Sequence, residues 1–172
     1  MKFSKILLEA SKLTLESVIK QTNTNIITHG INNIPDQPVL FVANHFTRLE
    51  TIFLPYIIYR ELKKYPISLA HHSFFSGKLG TLMEKYGAIS TKDPERDKVF
   101  IHSLLTGNHP GIIFPEGQMI KDKKIIENGK YIIYNVGFST PFVRRAPHKG
   151  AARIALNTEF FREKIKYFIS IN

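Results

Sequence analysis

Residues 38–50 read PVLFVANHFTRLE, an apolar run that ends at Ala43 and passes straight into polar residues carrying a histidine and, five positions on, a carboxylate. A short run of Val, Leu and Phe bounded by turn residues reads as a buried strand. Asn32 to Gln37 supply the turn before it, with Pro35 and Pro38 as punctuation. Residues 48–64 then read as a helix, so the chain here runs strand, loop, helix. That order repeats. Residues 67–71 read as a strand, 78–86 as a short helix closed by Gly87, and 88–91 as a strand. Residues 94–106 read as a helix with a first-turn proline, ended by Gly107, and 111–114 as a further buried strand. Residues 25–29 and 125–134 read as extended, and 149–167 as a helix whose apolar side comes from Ala151, Ile154, Phe160 and Phe161. Strands alternating with helices predict an α/β domain, with a mixed, largely parallel sheet flanked by helices.

Ahead of this unit, residues 4–20 place Ile6, Leu7, Ala10, Leu13, Val18 and Ile19 at helical intervals, with Lys5, Glu9, Lys12, Glu16 and Lys20 between them. This predicts an amphipathic helix over residues 1–22, set before a domain spanning 23–172. Such a helix ordinarily packs on a core; the alternative is a helix lying in a membrane interface. At the other end, residues 167–171 read as the start of one more strand, so the domain reads as incomplete at its C-terminus.

The 172 residues suffice for one domain, and 43% hydrophobic against 22% charged residues is a globular composition. Cysteine is absent, which excludes disulfides, thiolate metal sites and cysteine nucleophiles and is compatible with a reducing cytoplasm. No apolar run reaches the length of about 20 residues that a membrane span requires, and no cleavable signal is recognisable. The net charge of +10 attracts anionic lipid, nucleic acid or an acidic carrier protein. The basic residues are scattered rather than gathered into an arm, which argues against nucleic acid.

Two constellations carry chemistry. In the first, Asn44, His45, Arg48 and Glu50 follow a strand, and the carboxyl ends of strands in open α/β sheets are where ligands bind. A histidine that takes a proton from a hydroxyl needs one ring nitrogen held by an acceptor and the other turned to substrate. Glu50 can be that acceptor if His45 lies in the loop and Glu50 in the first helical turn. Taken alone, such a pair is more often a surface histidine before a helix with an ordinary first-turn carboxylate. In the second constellation, Phe114, Pro115, Glu116 and Gly117 follow the strand at 111–114 and place a carboxylate and backbone N–H groups at its end. By itself, Pro-Glu-Gly is also simply a good turn.

Together, in this order and strand context, the two motifs resemble those of the glycerol-3-phosphate and 1-acylglycerol-3-phosphate acyltransferases. The similarity runs from about Ile26 to Arg162. The resemblance implies that His45 is a general base oriented by Glu50, where the family more often has aspartate. It implies further that the acceptor hydroxyl attacks an acyl thioester directly, with no metal and no cofactor beyond acyl-CoA or acyl carrier protein as donor. The acceptor it implies is a lysophospholipid, with Glu116 accepting the glycerol hydroxyls. Its phosphate would fall to Lys92, with Arg96 nearby, where the family often has arginine. Gln118 and Met119 stand where Thr-Arg commonly follows the second motif, with Lys121, Lys123 and Lys124 as the nearest charges. The family's closing strand, with its Val-Pro-Val-like motif, does not follow the segment His148 to Ala152. The expected location is cytoplasmic, at the inner face of the cell membrane. The competing classes are a non-catalytic basic module binding lipid or nucleic acid, and an inactive truncated remnant. The remaining histidines, His29, His71, His72, His102, His109 and His148, read as structural or surface residues, with His71 and His72 on opposite faces of a strand end.

Overall fold

The computed structural model describes residues 4–45, 49–117 and 148–171, together with short strands at 126–127, 130–131, 133–135 and 143–145. Its centre is a four-stranded sheet built from β1 (Leu40–Val42), β2 (Ile67–Ala70), β3 (Ala88–Ser90) and β4 (Gly111–Ile113), in the order β1-β4-β2-β3. Every pairing in it is parallel: Val42 faces Ile113, Ile67 faces Gly111, and Leu69 faces Ile89. Parallel neighbours need crossovers. These are α2 (Glu50–Leu62), α3 (Gly77–Lys85) and α4 (Arg96–Thr106), while α1 (Lys5–Gln21) precedes the sheet and α5 (Gly150–Ile171) follows it. The remaining strands, β5 (Ile126–Glu127), β6 (Lys130–Tyr131), β7 (Ile133–Asn135) and β8 (Val143–Arg145), form two antiparallel ribbons, β5-β6 and β7-β8. The α/β class is as the alternation of elements predicts.

Local chemistry sets the helix ends. Ser4 caps α1 by accepting from the Leu7 N–H, and Gly107, at φ 69°, takes the left-handed conformation that ends α4. Pro55 lies inside α2 and removes one ladder bond, yet the helix runs on to Leu62, where Lys63 closes it at φ 55°.

Two expectations are corrected. Residues 25–29 form no strand: the segment is irregular and largely exposed, and it pairs with no strand of the sheet. β-branched residues favour a strand only where a partner edge is offered. Residues 167–171 do not begin a strand either; they are the last turns of α5, because the helical repeat continues with no glycine or proline to stop it.

The core lies between the sheet and the α4–α5 pair, where Ile67, Ile89, Phe100, Leu104, Ile113 and Ile154 are buried together. Ile112 points to the other side of β4 by strand alternation and is also fully buried, so both faces of the sheet are covered.

The loop between α4 and β4 carries a pH-sensitive contact. His109 donates from Nδ1 to the Tyr65 carbonyl at 2.9 Å, and the Ser103 hydroxyl donates to the His109 carbonyl at 3.0 Å. Burial pushes His109 below its ordinary value, and the bond to Tyr65 offsets only part of that. The folded state therefore holds the ring neutral where the unfolded chain would take up a proton. Stability should be fully present above the unfolded value of about 6.5 and fall as pH drops from there towards the folded value. We expect melting temperatures followed through this window to decline, and His109→Asn, which keeps an N–H donor but does not titrate, to flatten the decline. An equally steep decline in the variant would assign it to other groups.

Candidate active site

Because the sheet is parallel, all four strands end on one edge, and the sequence motifs follow those ends. β1 leads into Asn44 and His45, and its neighbour β4 into Phe114 through Gly117. The Ala43 N–H donates to the Ile113 carbonyl at 3.1 Å, which holds the two exits side by side. Residues distant in sequence thus meet in adjacent loops.

The His45–Glu50 pair forms as the spacing requires: His45 lies in the loop, and Glu50 is the first residue of α2. His45 Nδ1 is 2.9 Å from Glu50 Oε1, with the side chains 19% and 21% exposed. A carboxylate accepts only, so the neutral ring carries its proton on Nδ1 and presents the Nε2 lone pair. Glu50 also sits where the positive end of the α2 dipole favours a negative charge. The Phe114 ring lies against the imidazole, with centroids 4.9 Å apart and tilted by 36°. This contact limits rotation of the ring and joins the two motifs directly.

The turn after β4 is held from two sides. The Gly117 N–H donates to the Phe114 carbonyl at 3.0 Å, and the backbone N–H of His148, at the approach to α5, donates to the Pro115 carbonyl at 2.8 Å. Gly117 sits at φ 69°, and a Cβ there would meet the His148 ring at 2.9 Å, so glycine is required both for conformation and for space. Glu116 is only 4% exposed. Asn44 is exposed beside His45, whereas Arg48, Gln118, Met119, Lys121, Lys123 and Lys124 lie outside the described residues.

The other two strand ends carry basic groups. Lys92 is exposed after β3, and the Arg96 guanidinium is turned to the Thr91 carbonyl and to Asp97. The placement of His71 and His72 on opposite faces is corrected. Strand alternation would set them on opposite faces, but β2 ends at Ala70, and His72 opens a 3-10 turn. Their rings therefore come together, with centroids 4.1 Å apart. The His71 Nδ1 accepts from the Ser73 N–H, and the His72 N–H donates to the Thr91 hydroxyl at 3.2 Å, tying the β2 exit to the β3 exit. Partial desolvation first, then the Lys92 and His71 charges, hold His72 below the ordinary histidine value. The available signal was positional: two histidines directly after a strand predicted to end on the same edge as His45.

The arrangement combines a histidine held at Nδ1 by a carboxylate, a buried carboxylate one strand away, and a basic stretch on the strands beyond. Groups so placed have the chemistry to activate a hydroxyl. No curated protein and no solved structure matches the chain. The acyltransferase family profile, however, matches residues 25–169, which takes in both motifs and all four strands of the sheet. The chain therefore belongs to the acyltransferase family, that of the glycerol-3-phosphate and 1-acylglycerol-3-phosphate acyltransferases.

Proposed function

We propose that the protein moves a fatty acyl group from an acyl thioester, acyl-CoA or acyl carrier protein, to the hydroxyl of a lysophospholipid such as 1-acylglycerol-3-phosphate, a step of phospholipid biosynthesis. The observation that carries this reading is the 2.9 Å contact between His45 Nδ1 and Glu50 Oε1 within an acyltransferase chain. With Nδ1–H held by Glu50, Nε2 takes the proton of the acceptor hydroxyl as its oxygen attacks the thioester carbonyl. The tetrahedral intermediate collapses to the ester, and the departing thiolate takes up the proton from the imidazolium. Glu50 stabilises that imidazolium while it lasts. The reaction draws on no cofactor beyond the donor.

Surface chemistry around the pair supports a lipid acceptor. Val42, Leu49 and Ile52 are exposed apolar residues on β1 and at the start of α2, next to His45 in the chain, and suit an acyl chain. Lys92 with His71 and His72 suits the acceptor phosphate, and Glu116 its glycerol hydroxyls. Asn44 immediately precedes the base in the chain and Arg48 follows it three positions on, and both are proposed to contact the substrate. The location proposed is the inner face of the cell membrane, whose anionic lipids attract a chain of net charge +10. Among the described residues no helix is long and apolar enough to cross it.

The test is turnover. The purified chain, given labelled acyl-CoA or acyl carrier protein and a panel of lysophospholipids, should form diacyl product. Absence of product on every acceptor with either donor would overturn the reading. Glu50→Gln should lower kcat by about 10²-fold, because an amide can turn its NH2 group to Nδ1 and fix the wrong tautomer. An unchanged kcat in that variant would remove Glu50 from the mechanism.

A further inference from the structure

The strip formed by the exits of β2 and β3 is poor in charge, and its own hydrogen bonds make it so. His71 Nδ1 accepts from the Ser73 N–H at 3.3 Å, with the Ser73 hydroxyl 2.8 Å away. A ring that accepts at Nδ1 is neutral, because both nitrogens of a charged imidazole are donors, so the proton of His71 sits on Nε2. Desolvation above all holds His72 below the ordinary histidine value, and its ring lies beside that of His71, with centroids 4.1 Å apart. The pair thus offers N–H donors without charge. Beyond it, Lys92 is exposed at the β3 exit, with the acidic Asp93 as its neighbour in the chain. The Arg96 guanidinium is engaged by the Thr91 carbonyl and by Asp97. Among the described residues of these two exits, Lys92 is the one cation that stands outside an ion pair.

Phosphate monoesters and diesters place different demands on such a strip. Near neutral pH a monoester carries close to two negative charges, since its second proton leaves at a pKa of about 6, whereas a diester carries one. The free energy needed to take an ion out of water grows with the square of its charge, while its attraction to a single lysine grows only in proportion. Doubling the charge therefore raises the desolvation cost about fourfold and the attraction about twofold. Asp93, next to that lysine, repels the second charge as well. Neutral N–H donors, by contrast, bond the oxygens of a singly charged phosphate fully. A diester also needs room for the group esterified to it. His71, Ser73 and Lys92 are all exposed, so this rim leaves that group open space.

We infer that His71, His72 and Lys92 select an acceptor whose phosphate is a diester, a lysophospholipid with an esterified headgroup, over the monoester 1-acylglycerol-3-phosphate. This deepens the proposed function, on which it rests for placing the acceptor phosphate at these exits, and it narrows the class of acceptor. The selection lies in charge rather than in shape. Positive charge added to the strip should therefore move the preference back towards the monoester.

The experiment is calorimetric titration of the full chain, with no acyl donor present, using three short-chain, monomeric lipids that share one acyl chain: lysophosphatidylglycerol, lysophosphatidate and monoacylglycerol. The diester should bind about fivefold or more tightly than either of the others. His71→Lys should shift the ratio of diester to monoester affinity about fivefold towards the monoester, since the added cation acts on two charges in one ligand and on one in the other. Asp93→Asn should shift it the same way. Its Oδ1 can still accept from the Glu95 N–H, as that of Asp93 does at 2.8 Å, so the melting temperature should stay unchanged. Equal or tighter binding of the monoester by the wild type would overturn the inference, as would binding of none of the three. Monoacylglycerol bound as tightly as the diester would show that the strip reads no phosphate, and a ratio unmoved by both variants would place the selection elsewhere in the chain. Turnover of the same lipids with acyl-CoA separates the two readings. Diester-selective binding without turnover sinks the catalytic proposal alone, and turnover with the monoester bound more tightly sinks the selection alone.

Discussion

Acyl transfer by His45→Ala should fall by about 10³-fold, within the range of roughly 10² to 10⁴ that a positioned base contributes. The loss should appear in kcat, with KM for the acceptor changed little, because the imidazole matters most as the hydroxyl proton leaves. Stability should barely move. The ring is partly exposed and its contacts are Glu50 and Phe114, so its removal opens no sealed cavity. If His45→Ala retained within a factor of about three of wild-type kcat, proton removal by His45 would be refuted, since even a modest general base supplies more than that. If instead kcat held and KM rose, His45 would be a binding residue. The comparison with Glu50→Gln then tells whether the two act as one unit. A double variant no worse than His45→Ala alone means that Glu50 acts only through the ring.

Much of this site was legible before any coordinates, for a physical reason. β1 and β4 are short, continuous apolar runs ending in polar turn residues, and in a parallel sheet every such ending falls on one edge. Two motifs placed after two strands are therefore confined to the same rim. That β1 and β4 are neighbours was not legible, because strand order depends on how the crossovers pack. The contact of His45 with Phe114 depends on that order. The adjacency of His71 and His72 was hidden for a smaller reason: it turns on whether β2 ends at Ala70 or one residue later, and a one-residue change reverses the face of a side chain. The orientation of α1 was hidden as well. Apolar residues at helical spacing show that a helix has two faces, but that Glu9 and Glu16 would meet tyrosines on and just after α2, far along the chain, is not readable from that spacing.

The largest effect on stability should come from Phe100→Ala. Phe100 is fully buried on α4, among the largest side chains so enclosed, in the cluster with Ile67, Ile113 and Ile154. Removing the ring forfeits its transfer free energy and leaves a cavity between α4 and the sheet, together about 3–5 kcal/mol. Against a total of roughly 5–15 kcal/mol this is severe. For a domain of this size it corresponds to a drop in melting temperature of about 6–20 °C. Phe100→Leu should cost much less, because most of the volume remains. The site should suffer too. The ring lies against β4 at Gly111, where an added Cβ would come within 3.0 Å of Phe100 and 2.7 Å of Leu40. β4 carries Phe114 and Glu116, so a loosened strand moves the turn that packs on His45. The glycine supplies a sharper check. Gly111→Ala in the wild type must displace both Phe100 and Leu40, whereas in the Phe100→Ala background only the clash with Leu40 remains. The double variant should therefore be more stable than the sum of the single losses predicts, by about 0.5–3 kcal/mol, the range for side chains in contact. Strict additivity in chemical unfolding would mean that Phe100 does not pack on Gly111, and that the register of α4 on β4 is not the one described.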